Sequence, residues 1–249
     1  MPDEASESHK DALTSLNAPQ FDVIIFDLDG TLVDSAPELS DAVNATLAEL
    51  GFEGVDPERV KTWIGHGVRE LMAQALAFVP GAGACKLEAV MPVFSRHYRA
   101  HCGQNSRLYP GVMETLDALA HRGVPMALIS NKESAYAKTV LRVHGLDRYL
   151  HPVVFGDSLS VRKPDPQTVQ AVLQPLRLMP SRALFVGDSE IDVETARNAN
   201  VPVWLVSYGY RRNTARNLDA DRVIGTLKEI LPAVRSRETP AQGAKTKRS

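Results

Sequence analysis

The chain has 249 residues, 44% of them apolar and 23% charged, which is enough to bury one large domain or a core with a smaller insert. A formal net charge of -2 gives no electrostatic reason to expect a nucleic acid or a membrane surface as partner. No uncharged apolar run reaches membrane-spanning length, and the two cysteines, Cys85 and Cys102, lack a CxxC pairing, which points to a reducing, cytoplasmic compartment rather than a disulfide framework.

Residues 1–20 have no basic start followed by an apolar core, so they read as a disordered leader and not a secretory signal. The first strand is "DVIIF" (22–26), which does not alternate apolar with polar and so suits a strand buried on both faces. It runs directly into "DLDGT". Residues two apart in an extended strand point the same way, so Asp27 and Asp29 approach one small volume. Two carboxylates that close need a cation, a shared proton, or both. Gly30 permits a sharp turn whose amides can hold anionic oxygens, and Thr31 is expected to hydrogen-bond one of the carboxylates.

From 36 to 107 the strand rhythm stops. Helices are predicted over 37–51, 56–65, 68–79 and 85–102, and His97, His101 and Cys102 read as a polar helix face. In open α/β sheets ligands bind beyond the carboxyl ends of the strands, so a helical insert leaving from that edge would lie over the site as a lid.

The alternation then resumes. A helix over 111–123 leads into a strand over 124–130, which ends in Ser130-Asn131, a neutral oxyanion site. A helix over 134–146 and a strand over 152–156 follow. Lys163 then precedes a helix over 165–178 with an Asp165 cap, Pro166 at the first helical position, and Pro175 expected to end it early. A strand over 183–188 ends in Gly187-Asp188-Ser189, Asp192 follows near a helix start (191–200), and a last strand covers 201–207. Strands alternating with helices predict a Rossmann-like, doubly wound parallel α/β sheet, with a core of 21–35 and 108–232, a helical insert of 36–107 and a disordered tail of 233–249. The tail is mildly basic, and plain disorder is the expectation over nucleic-acid contact.

Four strand ends thus present Asp27/Asp29, Ser130/Asn131, Lys163 and Asp188/Asp192. So many carboxylates with so few cations call for a hard divalent ion, and oxygen donors favour Mg²⁺. With a lysine, a hydroxyl and backbone amides, this makes a clamp for a phosphoryl group, and no GxxxxGK[ST] loop is present.

In order, "DLDGT", the "SN" after "ALI", the "KP" and "GDSEID" resemble the four motifs of the haloacid dehalogenase-like hydrolases over about residues 21–232. The insert resembles that superfamily's first cap type. The resemblance implies that Asp27 is the nucleophile that becomes an aspartyl-phosphate and Asp29 the acid and then the base. It implies that Asp27, the backbone carbonyl of Asp29, and Asp188 bind Mg²⁺. Ser130 and Lys163 would hold phosphoryl oxygens with Asn131 assisting, while Asp192 orients Lys163 or a metal-bound water and Gly30, Thr31 and Ser189 support. The dehalogenase members work without the second acid, so Asp29 points to phosphoryl transfer.

Within the superfamily, "TWIGHGVRELMAQAL" (62–76) and "GDSEIDVETARNANVPVWLVSYGYR" resemble the bacterial phosphoglycolate phosphatases. That implies hydrolysis of a small phosphoester, 2-phosphoglycolate, by a monomer or homodimer, with Gly65, His66, Gly67 and Arg69 facing the substrate and Arg69 or His66 meeting its carboxylate. His66 stands where the subgroup carries Asn. A sugar-phosphate phosphatase, phosphomutase or small pyrophosphatase of the same class stays open as the alternative.

Two readings from other classes compete. An EF-hand would use Asp27, Asp29 and Glu38, but it wants glycine where Leu32 stands and a helix where "VIIF" reads as a strand. A phospho-accepting receiver is shorter, lacks a helical insert, and would lose its phosphoryl group quickly to the adjacent Asp29.

Overall fold

The computed structural model describes residues 21–210 and 218–235. The chain opens with β1 (Val23–Phe26) and β2 (Val33–Asp34), followed by the helices α1 (Ala36–Glu49), α2 (Pro57–Lys61), α3 (Val68–Phe78) and α4 (Leu87–His101). It continues through β3 (Arg107–Leu108), α5 (Val112–His121), β4 (Met126–Ile129), α6 (Ser134–Val143) and β5 (Leu150–Val154). It closes with α7 (Gln167–Leu176), β6 (Ala183–Gly187), α8 (Glu190–Asn198), β7 (Val203–Val206) and β8 (Arg222–Ile224).

Six strands form one sheet in the order β5-β4-β1-β6-β7-β8, every pair parallel. The unbroken apolar character of β1 follows from its central place. Val23 and Ile25 face a cluster with Phe185, Val169 and Val172, while Ile24 and Phe26 face the opposite one with Leu116 and Val140. Each such fully buried Ile or Phe contributes about 1.5–3 kcal/mol. The result is a three-layer α/β core with all the C-terminal strand ends on one edge.

The insert leaves that edge through β2 and returns through β3. These pair antiparallel with Val33 opposite Leu108 and Asp34 opposite Arg107, so one short ribbon carries both crossings. Inside the insert, α1 packs against α4, and Leu39, Val43 and Leu47 share one buried cluster with Val90, Phe94 and Tyr98. Among the described residues, no helix is long and apolar enough to cross a membrane.

Several boundaries differ from expectation. The strand predicted over 152–156 lies at Leu150–Val154, because Phe155 packs in the core beyond the strand rather than within it. The helix predicted over 56–65 stops at Lys61 and gives way to turns leading to Gly65, whose φ is 127°. As expected, the helix around Pro175 ends early: α7 stops at Leu176, short of the predicted 178, with Arg177 in the left-handed region at φ 55°. Strand β8 and the ribbon strands were not predicted. The disordered-tail expectation fails for 233–235. Phe21 donates its N–H to Ala233 O at 3.1 Å, Arg235 donates to Phe21 O at 2.9 Å, and Val234 is buried. The leader at 1–20 and the rest of the tail lie outside the described residues.

Candidate active site

Asp27 leaves the end of β1 with its N–H donating to Val186 O at 2.9 Å, which clamps it to the neighbouring strand. Its carboxylate lies 2.8 Å from Lys163 Nζ, and the same ammonium lies 2.6 Å from Asp192 Oδ1. Asp192 is fully buried at the start of α8. Its Oδ2 accepts from the N–H groups of Asp188 and Ser189, each at 3.0 Å, and from Ser189 Oγ at 2.8 Å. Ser189 and Asp192 thereby form a capping box. The side chain that begins the helix also fixes the loop carrying Asp188 and orients the lysine.

Asp29 has a different cation. Lys132 Nζ lies 3.0 Å from its Oδ1 and 3.3 Å from its Oδ2, and Ser35 Oγ donates to Oδ1 at 2.6 Å. The turn that separates the two aspartates is tight, with Gly30 N–H on Val33 O at 2.9 Å and Gly30 at φ 89°. Two like charges that arrive together in sequence are thus each matched to a separate lysine.

Burial pushes the Asp27 carboxyl up to about 7; Lys163 opposes that rise, and Asp192 adds to it. Burial likewise raises Asp188, with Asp192 and Asp27 adding to it. Burial works against the Lys163 charge, but Asp192 and Asp27 outweigh it and hold the ammonium charged. Oxygens of Asp27, Asp188 and Asp192 lie within 4.8 Å of one another. Three buried carboxylates against one lysine leave a negative excess that a divalent cation offsets, and an all-oxygen donor set suits Mg²⁺. Both oxygens of Asp192 are already engaged, so Asp27 and Asp188 are the two carboxylates of the cluster that could hold such an ion.

The insert lies over these strand ends. A cavity of about 30 Å³ is lined by Asp27, Asp29 and Ser130 from the core and by Leu39, Ile64 and Gly67, among others, from the insert. Gly65 and Gly67, at φ 127° and 88°, both line it. A volume of that size holds little more than a water, so the insert is closed down on the core. Asn131 ties the two together: its amide nitrogen donates to Gly65 O at 3.1 Å and Lys163 O at 3.2 Å, and its Oδ1 accepts from Lys163 N at 3.0 Å.

Four expected roles change. Asn131 spends both amide hydrogens on backbone carbonyls, so its side chain braces Lys163 and the glycine loop instead of donating to a phosphoryl oxygen. Thr31 Oγ1 has no hydrogen-bond partner among the described residues, and Ser35 takes the part foreseen for it. His66 is exposed and lines an outer opening with Arg162 and Lys163. Arg69 is exposed, lies outside the inner cavity, and pairs with Glu88 at 2.9 Å. Arg69→Ala is therefore expected to leave kcat/KM for a small phosphoester within about twofold of the parent, because exposed pairs contribute about 1 kcal/mol or less. A tenfold loss in a phosphate-release assay would restore Arg69 to the site.

The sequence reading missed Ser35, Lys132 and Tyr210. Lys132 directly follows Ser130-Asn131, and that adjacency was the available signal. Tyr210 donates its N–H to Asp188 Oδ2, while its hydroxyl donates to Asp34 Oδ1 at 2.7 Å. The same hydroxyl accepts from Ser35 N at 2.6 Å and Ala36 N at 3.0 Å. One tyrosine thus caps α1, where no side chain of the helix itself does, and touches the acidic cluster.

Comparison with known proteins agrees with this geometry. Residues 24–206 match the family described as haloacid dehalogenase-like hydrolase. Phosphoglycolate phosphatase 1 of Pseudomonas aeruginosa is 39% identical over 214 residues, 84% of this chain and 78% of that protein. The phosphoglycolate phosphatase of Rhodospirillum rubrum is 41% identical over 202 residues, 79% of this chain and 84% of that protein. The crystal structure of a predicted phosphoglycolate phosphatase from Haemophilus somnus superposes with a TM-score of 0.79 at 33% identity, covering 85% of this chain and 97% of that one.

Proposed function

We propose, from the premise that the chain belongs to the haloacid dehalogenase-like hydrolase family, that it is a Mg²⁺-dependent phosphatase converting 2-phosphoglycolate to glycolate and phosphate. The observation that carries this reading is the division of the two aspartates between two lysines. Asp27 beside Lys163 is suited to attack, and Asp29 beside Lys132 and Ser35 to move a proton. The substrate follows from the relatives, which span most of this chain.

Asp27 attacks phosphorus in line with the leaving oxygen. The bond from phosphorus to the glycolate oxygen breaks, and Asp29, which enters this step in its protonated form, supplies that oxygen with its proton. Asp29, now ionised, takes a proton from water. The hydroxide oxygen attacks the phosphorus of the aspartyl-phosphate, the bond to Asp27 breaks, and phosphate leaves. Lys163 and Ser130 hold the phosphoryl oxygens, Asn131 steadies the Lys163 backbone, and Asp192 keeps the ammonium in place. A divalent cation held by Asp27, Asp188 and the Asp29 carbonyl would neutralise phosphoryl charge.

In this reading residues 36–107 are a cap that opens on its β2–β3 ribbon to admit substrate and closes to exclude water. With Arg69 outside the cavity, the substrate carboxylate falls to the Gly65–Gly67 loop, which feeds the N-terminus of α3.

The test is a phosphate-release screen of small phosphoesters with Mg²⁺, using Asp27→Asn as the blank. Preference for 2-phosphoglycolate by at least tenfold in kcat/KM is expected. Preference for a sugar phosphate or pyrophosphate would overturn the substrate while keeping the chemistry, and a signal equal to the blank for every ester would overturn both.

A further inference from the structure

Lys132 has so far been given no part beyond its pairing with Asp29, yet its side chain is almost wholly buried. It enters from the loop after β4 and meets Asp29 on one side. On the other side lies Glu38 of α1, fully buried, with Oε1 3.9 Å from Nζ. The lysine also lies 5.1 Å from the centre of the Tyr98 ring of α4. Glu38 is itself held from the insert: its Oε2 accepts the Gly103 N–H at 2.6 Å and its Oε1 the Tyr98 hydroxyl at 3.3 Å. A chain of contacts therefore runs from the C-terminal end of the insert, through Glu38 and Lys132, to the carboxylate assigned to proton transfer.

Stability is a poor explanation for this arrangement. Two buried charged groups, Lys132 and Glu38, beside the part-buried Asp29 cost desolvation that apolar residues of the same volume would avoid. Geometry is the better one. A carboxylate that gives and then takes a proton must keep one orientation through two steps, and Lys132 and Ser35 between them engage both Asp29 oxygens.

We propose that Lys132, held from the insert by Glu38 and Tyr98, is a positioning residue that fixes Asp29 for proton transfer in the closed state. This rests on the phosphatase reading above. It makes no demand on the phosphoryl grip, which belongs to Lys163 and Ser130.

The experiment compares the parent protein, Lys132→Met, Asp29→Asn and the double variant, with 2-phosphoglycolate and with 4-nitrophenyl phosphate, whose leaving group needs no proton. Lys132→Met is expected to lower kcat for phosphoglycolate on the order of 10²-fold with KM little changed. With 4-nitrophenyl phosphate it should give a rapid burst of about one nitrophenolate per site followed by slow turnover, because dephosphorylation still needs Asp29. The double variant should be no slower than Asp29→Asn alone, since two residues acting through one step are not additive. Lys132→Gln keeps a donor beside Asp29 without the charge, and it serves as the second variant should the methionine fail to fold. Turnover of both lysine variants at the parent rate, or a double variant slower than Asp29→Asn by the full loss that Lys132→Met shows alone, would overturn the proposal. A parent protein that releases no phosphate from either ester would overturn the phosphatase reading itself, which separates the two failures.

Discussion

Replacing Asp27 by asparagine is expected to end phosphate release, by a factor on the order of 10⁴ or more, while the protein keeps its fold. The amide has the shape of the acid but neither its nucleophilic oxygen nor its charge. Lys163 is not stranded by the change, because Asp192 still lies 2.6 Å from it. The penalty of about 3–5 kcal/mol for orphaning a buried charge is therefore avoided. Asp29→Asn should behave differently. It should lose about 10²–10⁴-fold with 2-phosphoglycolate, the range of general acid–base catalysis, and far less in the first step with an activated aryl ester. It also leaves Lys132 with only Glu38, at 3.9 Å, so its melting temperature should fall further than that of Asp27→Asn. Stopped-flow release of nitrophenolate, set beside thermal melts of both variants, checks each part. If Asp29→Asn hydrolysed phosphoglycolate at the parent rate, the division of labour between the two aspartates would fail.

Features that repeat over several residues were legible in the sequence. Five strands of the sheet are visible as apolar runs, and the helical insert as a long interval without one. The strand ends named the reacting side chains because a parallel sheet delivers all its C-termini to one edge. Strand β8 escaped because it has three residues and lies at the sheet edge, with Arg222 and Val223 exposed, so no periodicity could mark it. Thr31, next to Gly30, reads from the sequence as the hydroxyl partner of one of the two carboxylates, but the hydroxyl that reaches Asp29 is that of Ser35. The turn through Gly30 brings Val33 back onto Gly30 and Ser35 onto Asp29. Glu38 reads as a favourable acid in the first turn of a helix, a role that needs only solvent. That it is fully buried beside a lysine almost a hundred residues later is a fact of tertiary packing, invisible to spacing. Arg69 failed for the opposite reason. A cation next to a glycine loop is easily assigned to an anionic ligand, but helical phase turns this one outward to Glu88.

The second large effect is expected from a residue with no side chain. Gly209→Ala should abolish most turnover at ordinary Mg²⁺ concentrations and weaken Mg²⁺ binding about 10- to 100-fold, the range seen when the support of a metal ligand is disturbed. A Cβ at position 209 would lie 2.2 Å from Asp188 Cβ and 2.3 Å from its Oδ2. The first atom moves only with the backbone, and the second, though terminal, is buried and held by the Tyr210 N–H. Asp188 cannot retreat toward Gly30, because the space there is equally close: a Cβ at Gly30 would meet the same Oδ2 at 2.4 Å. The next residue, Tyr210, donates its N–H to that oxygen and holds the start of α1 with its hydroxyl, so displacing this segment disturbs the acidic cluster and the entry to the insert together. The overpacking itself should cost about 1–3 kcal/mol, which a protein of this size survives. Calorimetric titration with Mg²⁺ separates the causes. Weak binding with kcat recovered at high Mg²⁺ would locate the damage in Asp188 alone. Weak binding with kcat still low would add the Tyr210 link to the insert. Unchanged affinity with normal turnover would show that Asp188 is not held between these two glycines, and the account of the metal site built on it would have to be abandoned.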